Sequence, residues 1–78
     1  MKISENKLRS ITKMFSDFAG EEVKIDFIGN ALYVLGSELA CLRIFYRYRD
    51  SKGAQVKRSL NLDIWYYSHE TLEEYELP

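Results

Sequence analysis

The residues that could do chemistry in this 78-residue chain are few. Cys41 and His69 are its only cysteine and histidine. A metal site would have to draw on Cys41, Asp63, His69, Glu70 and Glu73. Their spacing holds no C-x-x-C, H-x-x-x-H or EF-hand pattern. Only the strand register developed below sets Cys41 opposite Asp63. A Cys41 nucleophile activated by His69 would need the C-terminal turn to fold over Cys41, and no third orienting group or oxyanion-hole sequence accompanies the pair. Ser68 and His69 are chain neighbours and would need a special turn to meet. Glu70, Glu73 and Glu74 are better explained as the solvated face of a short helix than as an acid–base pair. Gly20, Gly29, Gly36 and Gly53 are isolated, each with a turn or cap role, so no phosphate-cradling loop is present. The inventory points to no enzyme, no cofactor and no metal.

Binding chemistry is better represented. Tyr33, Phe45, Trp65 and Tyr67, with Leu35 and Leu39, fall on the same predicted sheet face as Arg43, Arg47, Arg49 and Lys57, beside Lys24 and Asp26. Exposed aromatics rimmed by charge mark an interaction surface, and Trp, Tyr and Arg dominate binding hot spots. One reading is a protein partner, either foreign or a second copy packed sheet on sheet. The alternative is single-stranded nucleic acid. Phe45, Trp65, Tyr67 and Tyr33 would stack bases while Arg43, Arg47, Arg49 and Lys57 track phosphates. A net charge of −1 and the lack of an RRM-type aromatic pair put that alternative second. A third reading has the C-terminal segment folding back over the face, since Leu72, Tyr75 and Leu77 need cover.

Local patterns predict the elements that would position these residues. Residues 4–19 read as an amphipathic helix, with Leu8, Ile11, Phe15 and Phe18 at three- and four-residue spacing. Ser4 suits the N-cap and Gly20 the left-handed position after the last turn. Val23, Ile25 and Phe27 then alternate with charged residues, as in a strand. Gly29-Asn30 suits a two-residue hairpin turn with glycine first, followed by a strand over Ala31 to Leu35. A third strand is expected from about Leu39 to Asp50, with Ser51-Lys52-Gly53 as a three-residue hairpin loop. A fourth is expected from about Gln55 to Tyr67. Pairing Asp50 with Ala54 sets Tyr48, Tyr46, Ile44 and Leu42 opposite Val56, Arg58, Leu60 and Leu62 on the inner face. A one-residue slip would destroy that sorting. Ser68 is positioned to cap a last short helical turn.

The expected fold is therefore α+β: an N-terminal helix on one face of a four-stranded antiparallel meander, then a short C-terminal helical turn. The expected core is Leu8, Ile11, Phe15, Phe18, Val23, Ile25, Phe27, Leu32, Val34, Leu42, Ile44, Leu60, Leu62 and Ile64. Arg58 falls on the inner face, either snorkelling outward or paired with Glu70 or Glu73.

Composition agrees with one small folded unit over residues 1–78. At 46% hydrophobic and 14% aromatic, the chain has too much apolar material to stay disordered, and it is too short for two cores. One cysteine cannot make an intramolecular disulfide, which favours a reducing compartment. Lys2, Lys7, Arg9 and Lys13, interrupted by Glu5 and Asp17, do not resemble a signal peptide. The longest apolar run, Ala31 to Leu35, is far too short for a membrane span. A soluble cytoplasmic protein, complete from Met1 to Pro78, is expected. Charge is segregated: Arg43, Arg47, Arg49, Lys52, Lys57 and Arg58 stand against Asp50 alone. Asp63, Glu70, Glu73, Glu74 and Glu76 follow with no Lys or Arg. In size and style the chain resembles the small accessory proteins of phages and mobile elements, anti-CRISPR proteins and other inhibitors among them. The resemblance is one of kind, implies binding without catalysis, and carries over no residue.

Overall fold

The computed structural model describes residues 3–48 and 53–77. Its first half follows the sequence pattern. Helix α1 spans Glu5–Ala19, and the Ser4 hydroxyl accepts the Lys7 N–H at 3.2 Å. Gly20 closes the helix at φ 71°, donating its N–H to the Ser16 carbonyl. There its lack of a side chain removes the left-handed penalty. Strands β1 (Lys24–Ile28) and β2 (Ala31–Gly36) form an antiparallel hairpin. Gly29 at φ 60° opens the two-residue turn, as a II′ turn requires.

After Gly36 the structure departs from the expected meander. The predicted third strand is helix α2, Glu38–Tyr48, and the first half of the predicted fourth is helix α3, Gly53–Leu60. The expected pairs of Ile44 with Leu60 and Tyr46 with Arg58 therefore do not form. Asp50 of the predicted third strand, and Ser51 and Lys52 of the predicted loop, lie outside the described residues. The cause is local. Ser37 accepts the Ala40 N–H on its hydroxyl at 3.1 Å and the Cys41 N–H on its carbonyl at 3.0 Å, which is N-cap geometry. Leu42, Ile44 and Tyr46 alternate as in a strand, but Ala40, Cys41 and Ile44 also recur at helical spacing, and these are the residues buried. Ala, Leu and Arg favour a helix once a cap has started it. Helix α3 ends at Asn61, left-handed at φ 54°, with Lys57 and Arg58 in its last turn, where cations suit the helix dipole.

The two helices form a crossover, so β3 (Asp63–Ser68) runs parallel to β2. A short β4 (Glu74–Glu76) pairs antiparallel to β3, giving a mixed four-stranded sheet in the order β1-β2-β3-β4. The α+β class holds, but the all-antiparallel meander does not. Nor does a final helix form. Ser68 does accept the Thr71 N–H at 3.3 Å, but Leu72 at φ 61° turns the chain back into β4.

One core joins all the helices to one sheet face. Ile11, Phe15 and Ala19 of α1, Ala40, Cys41 and Ile44 of α2, and Leu60 of α3 pack with Leu32, Val34, Ile64 and Tyr66. Leu77 beyond β4 is fully buried, its N–H donated to the Ile64 carbonyl at 2.8 Å. Of the expected core, Leu42 is misplaced and 60% exposed, because in a helix it points away from Cys41 and Ile44, and Leu8 is only half-buried and outside the core cluster. Arg58, expected on the inner face, is exposed on α3. Tyr66 and Gly36 lock the sheet to α2. The Tyr66 hydroxyl donates to the Ser37 carbonyl at 2.9 Å, and a Cβ at buried Gly36 would collide with that hydroxyl. Among the described residues no helix is long and apolar enough to cross a membrane.

Candidate interaction surface

The register places Asp26, Tyr33, Trp65 and Glu76 in one cross-strand row on the face turned away from the helices. Lys24, Leu35, Tyr67 and Glu74 form the next row, and Ile28, Ala31 and Asp63 lie at its end. Alternation along each strand dictates this. Every second residue goes to the core, and its neighbours must go to the other side. Tyr33 and Trp65 stack with centroids 6.3 Å apart and planes 17° from parallel. Tyr33, Leu35, Trp65 and Tyr67 are half-buried, screened by one another, and none belongs to the core. Among the described residues no helix or loop covers them. A shallow depression of about 220 Å³ is lined by Asp26, Ile28, Tyr33, Leu35, Tyr67 and Glu74.

This face unites only part of the predicted binding set. Tyr33, Trp65 and Tyr67 share it. Arg43, Phe45 and Arg47 do not, because the expected third strand is helix α2. Lys57 does not, because it sits on α3. Arg49 lies outside the described residues. Arg43 donates to the Ala19 carbonyl at 3.1 Å, closing the end of α1. Phe45 meets Tyr75 edge to face at 6.1 Å on the helical side. Lys57 donates to the Leu77 carbonyl at 3.4 Å. The rim of the open face is thus acidic rather than basic: Asp26, Asp63, Glu74 and Glu76 stand against Lys24. Nor does the C-terminal segment fold over this face. It extends the sheet edge and turns Tyr75 and Leu77 toward the core. The one sequence signal for that edge was the Glu-Tyr-Glu alternation of residues 74–76.

A second surface went unanticipated. Leu39, Leu42 and Tyr46 are 53%, 60% and 72% exposed and line up along the outer side of α2, next to Arg43 and Arg47. Their spacing of three and four was visible in the sequence, but it shows as a stripe only once the segment is a helix.

Among the described residues the reactive groups lie apart. Cys41 is buried, and its pKa is pushed up to about 11, mainly by desolvation and further by the Glu38 carboxylate. A thiol held protonated at neutral pH is a weak nucleophile. His69 is exposed, and no hydrogen bond among the described residues links it to Cys41. Ser68 is fully buried and hydrogen-bonds the turn that follows it. Glu70 accepts the Glu38 N–H at 2.7 Å, and Glu73 accepts the Tyr75 hydroxyl at 2.8 Å. Among the described residues no three His, Cys, Asp or Glu side chains converge as metal ligands. A polar cleft of about 310 Å³ lies between the hairpin tip and the end of α3, lined by Asn30, Lys57, Arg58, Asn61, Leu62 and Asp63. Comparison with protein families, curated proteins and solved structures finds no match to this chain.

Proposed function

We propose that the chain is a non-enzymatic interaction protein that binds a protein partner through the open sheet face. It would act as inhibitor or adaptor, as small accessory proteins of phages and mobile elements do. The observation that carries this reading is the stacked Tyr33–Trp65 pair, with Leu35 and Tyr67, on a face that no described element covers. Rigid aromatics on a strand scaffold give large contact area with little ordering entropy. The rim decides between occupants. Two copies packed through this face would gather four carboxylates and only Lys24 from each into one seam, an excess of like charge that favours a foreign partner over a homodimer. The same carboxylates oppose a nucleic-acid backbone.

The test compares wild type with a Tyr33→Ser/Trp65→Ser chain. Molar mass by light scattering at low and high salt reads self-association, and capture from a lysate with and without nuclease reads foreign partners. The expected result is a monomer at both salts, and nuclease-resistant capture that the variant loses while it stays folded. Undiminished capture by the variant would show that this face is not the binding surface.

A further inference from the structure

We infer that the occupant of the open face is a basic segment of the partner protein, which lays an arginine or lysine side chain in the depression. This rests on the reading of the open face as a docking surface, and it names the chemistry that surface selects. The depression has carboxylates from opposite sheet edges, Asp26 of β1 and Glu74 of β4. Between them lie Tyr33, Leu35 and Tyr67 of the two central strands, with Ile28 beside Asp26 on β1. A long cationic side chain matches that mixed lining. Its methylenes lie on apolar surface, its charged head meets aromatic faces, and carboxylates on either side can accept its N–H groups. Neither Asp26 nor Glu74 takes part in an ion pair among the described residues. Beyond the depression, Glu76 and Asp63 extend the same sign of charge, with Lys24 the single exception. An acidic segment would meet repulsion along most of that rim, and an uncharged one would leave it without a counter-charge. Arginine suits the site better than lysine, because a planar guanidinium both stacks on tyrosine and bonds carboxylates sideways.

Trp65 is the only tryptophan of the chain and stacks on Tyr33, which lines the depression, so its fluorescence reports binding there through that contact. The probes are three capped octapeptides of identical length carrying two arginines, two glutamates or two serines around a central leucine, and a thymidine oligonucleotide. The arginine peptide is expected to perturb Trp65 and to bind about tenfold or more tightly than the other two peptides, with affinity falling as salt rises. Asp26→Asn with Glu74→Gln, both at exposed positions, is expected to leave folding intact and erase that preference. Equal binding of the three peptides would overturn the cationic preference while leaving the face a docking surface. No response to the arginine peptide up to about 1 mM would overturn it too. Tighter binding of the oligonucleotide than of any peptide would overturn it in favour of nucleic acid. Unchanged lysate capture by the Tyr33→Ser/Trp65→Ser chain would remove the docking surface itself, so the two failures are distinguishable.

Discussion

Tyr66 and Tyr67 are chain neighbours on β3 and have opposite surroundings. Tyr66 is fully buried, its hydroxyl satisfied by the Ser37 carbonyl. Burial, with Cys41, Glu21, Glu38 and Glu70 nearby, pushes its ionisation well above the usual tyrosine range. Tyr67 is half-buried on the open face beside Leu35. The same contrast runs along the strand: Ile64 and Ser68 face the helices, while Trp65 faces away from them. Residue type does not separate the two sides, since both carry tyrosine and large apolar groups. What separates them is cover. On the covered side, side chains hold the helices to the sheet, so changing one should be felt by the whole fold. On the open side, the side chains touch mostly one another, so changing one should be felt first in binding.

The largest expected effect comes from Ile64→Ala, which removes a fully buried side chain between sheet and helices and should cost about 2–5 kcal/mol. Trp65→Ser, one residue away and only half-buried, should cost less, with about 1 kcal/mol of its loss coming from the stack on Tyr33 beyond the area it buries. Urea denaturation of both variants checks this, and equal losses would erase the distinction between the faces. Next is Gly36→Ala. Its new Cβ meets the Tyr66 hydroxyl and sits 3.3 Å from Val23 Cγ1, and overpacking of this kind costs about 1–3 kcal/mol. The double variant Gly36→Ala/Tyr66→Phe should recover part of the loss in thermal melts. Smaller still, Tyr66→Phe should cost about 1 kcal/mol for its hydrogen bond, and Tyr67→Phe close to nothing. The last contrast lies in the pH dependence alone. Cys41 has its pKa raised from 9.0 to about 11, so the folded state favours the neutral thiol. That contribution is complete below pH 9.0 and is lost as pH rises through about 11. A Cys41→Ala chain should lose less stability than wild type across that alkaline window.

The sequence disclosed the covered side better than the open one. The first helix with its caps, the hairpin and its turn, and most of the core were readable, because each rests on short-range rules. Ile44, Leu60 and Leu62 were expected in the core and are there, though two of them sit in helices rather than strands. Burial depends on apolar character, and apolar character survives a wrong choice of element. The choice itself failed at residues 39–50, where a period of two and a helical period fit the same letters. The cap at Ser37 decided between them. Everything that depended on that segment then moved. Arg43, Phe45 and Arg47 left the sheet face, Leu42 left the core, and the rim changed sign. Tyr33, Trp65 and Tyr67 stayed together because β2 was read correctly and the last part of the expected fourth strand, which carries Trp65 and Tyr67, is a strand. The parallel pairing of β2 with β3 was beyond any local pattern, since it is set by the helices that join them.

That pairing also governs how the molecule must assemble. The helix α1 and the β1–β2 hairpin draw on neighbouring residues and can form early. The inner edge of β2 cannot. Ala31 has to wait for Asp63, and Gly36 for Ser68, until the whole crossover has been threaded and folded. During that interval the apolar stretch from Ala31 to Leu35 presents unpaired backbone groups on a strand bordered by no charge of its own. A chain that collapses before the crossover is complete therefore exposes its stickiest edge. Refolding yield should consequently depend on protein concentration more than the native protein's solubility would suggest.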